Sequence, residues 1–135
     1  MLHDQFFGML GRMQDLTQQK CVPCEGGVEP LKRAEFQPYL DAVNDWSVVD
    51  NDLQIEKEFV FKNFKQALAF INKVGEIAES EGHHPDIYLH NFKKVKISLM
   101  THAIKGLSTN DFILAAKIDA LASSWTRFRI PWIYD

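Results

Sequence analysis

The 135-residue sequence predicts an α+β domain, with four strands in antiparallel hairpins and helices packed on one face of the sheet. Three observations carry this. Leu53, Ile55, Phe59 and Phe61 alternate with Gln54, Glu56 and Glu58, and Val95, Ile97 and Leu99 alternate with Lys94, Lys96 and Ser98. Both stretches read as strands with one buried face, whereas a parallel sheet covered on both sides would show unbroken apolar runs. Between them, Phe64, Ala67, Leu68, Ile71, Val74, Ile77 and Ala78 recur at helical spacing, one apolar stripe through about residue 81. The order helix, two strands, long helix, two strands, helix then places the strands in sequence-adjacent pairs, which short turns join antiparallel.

In chain order, residues 1–20 read as an N-terminal arm and 21–135 as a single domain with a short aromatic tail. The arm carries Phe6, Phe7, Met9, Leu10, Met13 and Leu16 at amphipathic spacing, weakened by Gly8 and Gly11. Pro23, Gly26, Gly27 and Pro30 make the next segment a loop. Leu31 to Val43 reads as a helix that Pro38 distorts or shortens. Trp46 to Val49 is a short strand that turns at Asp50-Asn51-Asp52 into the alternating strand from Leu53. Asn63 can cap the long helix, because its side-chain oxygen accepts an unpaired first-turn N–H, and Gly82 is its natural terminator. Ile87 and Leu89 alternate with Tyr88 and His90 in a third strand that turns at residues 91–93 into the fourth. Ser108 and Asp111 have capping-box spacing, so a final helix runs from Phe112 to about Ser124. The tail from Trp125, with Pro131, is expected to pack as an extended segment.

Composition narrows the function. A net charge of −3 argues against a phosphate-binding surface for nucleic acid, and no apolar run is long enough to span a membrane. Cys21 and Cys24 form one C-x-x-C; without two further ligands at zinc spacing they read as reduced thiols, packed or in a loop. The N-terminus lacks the basic start and cleavage site of a secretory signal, which points to the cytoplasm and leaves nucleus or organelle open.

The chain turns on Glu81-Gly82-His83-His84-Pro85-Asp86. Two adjacent imidazoles between a glycine and a proline are aimed by backbone geometry at the end of a rigid helix. Near neutral pH one such ring can accept a proton while another donates one. The competing reading is a helix cap followed by a solvated turn.

With the downstream Thr101-His102-Ala103-Ile104-Lys105-Gly106-Leu107 and Asn110-Asp111-Phe112, this stretch resembles the pterin-4a-carbinolamine dehydratase family. Cys21-Val22-Pro23-Cys24-Glu25-Gly26-Gly27 and Phe61 to Ala67 are similar to its non-mammalian members, so the likeness covers about residues 21–121. The resemblance implies a four-stranded antiparallel sheet with helices on one side, assembled into homodimers or homotetramers. It implies a lyase that removes water from 4a-hydroxytetrahydropterin to give quinonoid dihydropterin, recycling tetrahydrobiopterin, with no metal and no organic cofactor. On the family pattern His83, His84 and His102 are the catalytic histidines. His84 and His102 are assigned to proton transfer and His83 to positioning the pterin and assisting. Glu81 is placed to orient a ring, Pro85 to fix the loop, Asp111 as an acidic site residue or as a helix cap, and Trp46 to stack on the pterin or pack in the core. Some members also serve as dimerisation cofactors for a transcription factor, an alternative role as a binding module. Two positions depart from the family pattern: Lys105 stands where glycine is common, and Lys32 where a capping serine is usual.

Overall fold

A computed structural model describes residues 15–23 and 26–127, so most of the predicted arm, Cys24 and the end of the tail lie outside the described residues. Strands β1 (Ser47–Val49), β2 (Gln54–Val60), β3 (Asp86–His90) and β4 (Lys94–Leu99) form one antiparallel sheet in the order β1-β2-β4-β3. Helices α1 (Arg33–Ala42), α2 (Phe64–Glu81) and α3 (Thr109–Arg127) join it, as the hairpin pattern predicted. Ile55, Phe59, Val95, Ile97 and Leu99 are buried on one sheet face, in the same core as Phe36, Phe70, Val74 and Phe112 from the helices. The other face carries Glu56, Glu58, Lys94 and Lys96, which tolerate water. Leu16, in a 3₁₀ turn at Asp15–Gln18, is also buried there, so the end of the predicted arm docks on the core.

The local signals act as their chemistry requires. Asn63 accepts the Gln66 N–H at 2.9 Å, and Gly82 closes α2 with φ 64°, a left-handed conformation glycine adopts without penalty. The stripe of α2 departs from expectation at two positions: Phe64 and Leu68 are among the exposed large apolar residues, while Phe70 is fully buried. Helix α1 runs through Pro38 without a break, and at Lys32, which provides no side-chain cap, the Glu35 carboxylate accepts the Lys32 N–H at 2.9 Å. Helix α3 continues through Trp125 to Arg127, so the start of the tail is helical where an extended segment was expected.

The loop after β4 is tied tightly. Thr101 and Gly106 bridge, with Thr101 N–H donating to the Gly106 carbonyl at 2.8 Å, and Lys105 between them sits at φ 54°. A Cβ on Gly106 would lie 2.5 Å from Pro30 Cβ and 3.2 Å from Leu53 Cδ2. Proline's ring cannot swing aside, so Gly106→Ala is expected to cost about 1–3 kcal/mol through overpacking. A urea midpoint equal to that of the wild type would contradict this.

Candidate active site

Helix α2 ends, β3 begins, β4 ends and α3 begins around one hollow of about 320 Å³. That is near the lower end of the roughly 300–1,000 Å³ usual for small-molecule sites and suits a single small ring system. His83, His84 and Pro85 line it from the α2–β3 turn, and Thr101 and His102 line it from the bridged loop. Val22 and Pro23 supply a further wall, and Asn110 faces it from the first turn of α3. Three imidazoles from segments some twenty residues apart therefore meet at one cavity.

Their settings differ. The His83 side chain is mostly buried, and its Nε2 lies 2.7 Å from Oδ1 of Asp111, which is fully buried. The other Asp111 oxygen accepts the Thr101 hydroxyl at 2.8 Å and the Ser108 backbone N–H at 2.9 Å. Because Thr101 spends its one hydroxyl proton on the carboxylate, Ser108 Oγ, 2.7 Å away, donates to Thr101. A carboxylate oxygen only accepts, so Nε2 of His83 carries the proton and, in the neutral ring, Nδ1 keeps a lone pair. Asp111 thus caps the helix through the Ser108 N–H and, in the same side chain, pairs with a histidine that lines the hollow. His84 and His102 are exposed, and His84 Nε2 pairs with Glu79.

Two expected site residues are occupied elsewhere. Trp46 does not line the hollow; it is buried, edge-on to Phe59, and its indole N–H donates to Asp119 at 3.0 Å. Among the described residues, Glu81 bonds to no imidazole ring. Its carboxylate, almost wholly buried, accepts the Cys21 backbone N–H and the Lys117 ammonium, each at 2.8 Å. Burial opposes its charge, but the hydrogen bonds from Lys117 and Cys21 outweigh it and hold the group below its ordinary value of 4.5. Sequence reasoning missed Thr101 and Asn110, although each adjoins a residue that was singled out.

Burial, and then the negative charge of Glu81, push the Cys21 thiol up to about 12. At pH 8 only about one molecule in ten thousand then carries the thiolate that reacts. Iodoacetamide is expected to label Cys21 at least a hundredfold more slowly in folded than in urea-denatured protein, read by fragment-ion mapping that separates it from Cys24. Equal rates would contradict a packed thiol. Among the described residues, no group of three His, Cys, Asp or Glu side chains is arranged to hold a metal ion, and no helix is long and apolar enough to cross a membrane.

Fold and site together define a small α+β domain with a hollow at its end lined by three histidines. Residues 29–121 match the family profile described as pterin 4 alpha carbinolamine dehydratase. Provisionally named pterin-4-alpha-carbinolamine dehydratases from Alkaliphilus metalliredigens and Halorhodospira halophila are 49% and 47% identical, over 79% and 80% of this chain and 96% and 98% of theirs. The crystal structure of a transcriptional coactivator/pterin dehydratase from Brucella melitensis superposes with a TM-score of 0.65 at 31% identity, covering 70% of this chain and 99% of that one. A pterin dehydratase-like protein identified as a RuBisCO assembly factor in the alpha-carboxysome has a TM-score of 0.51 at 26% identity, covering 58% and 90%. The chain belongs to the pterin-4a-carbinolamine dehydratase family.

Proposed function

We propose that this protein is a hydro-lyase that converts 4a-hydroxytetrahydropterin to quinonoid dihydropterin by histidine acid-base catalysis. The observation that carries the reading is the convergence of His83, His84 and His102 on one small hollow. In the reaction the C4a–O bond breaks, a protonated imidazole gives its proton to the departing oxygen so that water leaves, and a neutral imidazole takes the proton lost from a ring nitrogen. His84 and His102, exposed at the mouth and able to exchange protons with solvent, are assigned to these two transfers. His83, held by Asp111, positions the pterin and assists. Pro85 keeps the turn in register.

Stopped-flow absorbance of the carbinolamine, generated in situ, tests the reading. Decay no faster with the protein than in buffer would defeat it. The protein would act in the cytoplasm as a homodimer or homotetramer, with a pterin as its ligand and no direct role for nucleic acid. The description of the Brucella relative as both coactivator and dehydratase, and that of the assembly factor, favour a second reading as a binding module that needs no catalysis. Retention of all three histidines supports the catalytic one.

A further inference from the structure

The segment Cys21-Val22-Pro23 precedes residue 29, where the match to the family profile begins, yet it forms one wall of the hollow. It has no helix or strand to hold it. Two nearly buried polar side chains do so instead. Asn110 clamps Val22 from both sides: its Oδ1 accepts the Val22 N–H at 2.9 Å, and its Nδ2 donates to the Val22 carbonyl at 2.6 Å. Glu81 accepts the N–H of Cys21, and the Cys21 thiol lies 3.6 Å from the Asn110 carbonyl oxygen. Burying an amide and a carboxylate is costly unless their bonds are made, so these groups fix the segment's position firmly.

The clamp leaves Val22 only one thing to offer. Its backbone N–H and C=O are both taken, while the residue remains 66% exposed and lines the cavity. The three histidines give the hollow hydrogen-bonding groups suited to the polar edge of a flat heterocycle, the Thr101 hydroxyl being turned to Asp111 and Ser108 and the Asn110 amide to Val22. A ring's face needs apolar contact, and the lining offers it through Val22, Pro23, Pro85 and Ala103, of which Val22 carries the largest branched side chain.

We propose that Val22 is a specificity-determining residue, its isopropyl group packing on the pterin, and that Asn110 and Glu81 are positioning residues holding it there. This rests on the dehydratase reading and deepens it. It also gives the C-x-x-C stretch a role that is not redox chemistry, consistent with the suppressed acidity of Cys21. The segment is a built wall.

The test compares wild type, Val22→Ala, Val22→Ile and Asn110→Ala, measuring kcat and KM for the carbinolamine and binding of 7,8-dihydropterin by fluorescence quenching. Truncating Val22 is expected to raise KM and the dihydropterin Kd about tenfold, the scale of a small apolar contact in a binding pocket, with the effect on KM rather than kcat. Val22→Ile should return both to within about threefold of wild type, and Asn110→Ala should weaken binding at least as much as Val22→Ala. If Asn110→Ala fails to fold, as circular dichroism would show, the Val22 pair decides. Unchanged KM and Kd in Val22→Ala, or a fall in kcat alone, overturns the inference while wild-type turnover keeps the dehydratase reading. Absence of turnover and of dihydropterin binding in the wild type instead overturns both.

Discussion

Replacing His84 or His102 with alanine is expected to slow dehydration of the carbinolamine by about 10²–10⁴-fold each, the usual worth of one positioned proton transfer. Both side chains are exposed, so the fold should lose no more than about 0.5 kcal/mol, as for ordinary surface substitutions. Activity and stability therefore separate at these two positions. His83 behaves differently. Removing it strips a partner from Asp111, which is fully buried, and should add a stability loss of about 1–3 kcal/mol to any kinetic one. The His84→Ala/His102→Ala double variant should lose less than the product of the two single effects, because acid and base act in one step. Stopped-flow rates measured beside thermal melts check all of this. Single variants within twofold of wild type would remove both histidines from the chemistry and return them to the solvated turn.

Much of this site was legible because its signals are local. Histidines flanked by glycine and proline, a helix capped by Asn63 and ended by Gly82, and a Thr-His loop closed by Gly106 are each written within a few residues. What escaped depends on partners far along the chain. Glu81 reads as a residue beside two histidines, yet its bonds go to Cys21 and Lys117, 60 and 36 positions away. Trp46 reads as a stacking platform or a core residue, and only Asp119, 73 positions on, which takes its N–H, decides for the core. Alternation in β2 would put Lys57 among Ile55 and Phe59, where a cation looks misplaced. It is tolerated because Asp119 accepts it at 2.8 Å. The stripe of α2 holds at Ala67, Ile71, Val74, Ile77 and Ala78 and departs at two positions for another reason. Apolar periodicity marks every side chain that avoids water, including Phe64 and Leu68, which this single chain leaves exposed.

Glu81→Ala is expected to cost about 2–4 kcal/mol, somewhat below the 3–5 typical of breaking a buried ion pair because Lys117 keeps partial contact with water. The loss has two parts: Lys117 is left without its carboxylate, and the Cys21 N–H without its acceptor. Against a total stability of about 5–15 kcal/mol this is a large fraction. Glu81→Gln should cost less, since the amide oxygen can still accept from one of the two donors. Replacing the pair together, as Glu81→Leu/Lys117→Met, should recover much of the difference, because apolar groups of similar size carry no unpaired charge. The pH dependence has a definite sign. Glu81 titrates below its ordinary value of 4.5 in the folded protein, so its charge stabilises the fold fully above that value, and the benefit is lost as the pH falls through the lower, folded one. The stability gap between wild type and Glu81→Gln should accordingly be widest near neutrality and close in acid. Denaturant midpoints between pH 3 and 7 measure it, and a gap that stayed constant across that range would show that the Glu81 charge does not anchor the segment at Cys21. Because the same carboxylate holds the wall bearing Val22, Glu81→Ala should also raise KM in protein that remains folded, although Glu81 bonds to none of the three histidines.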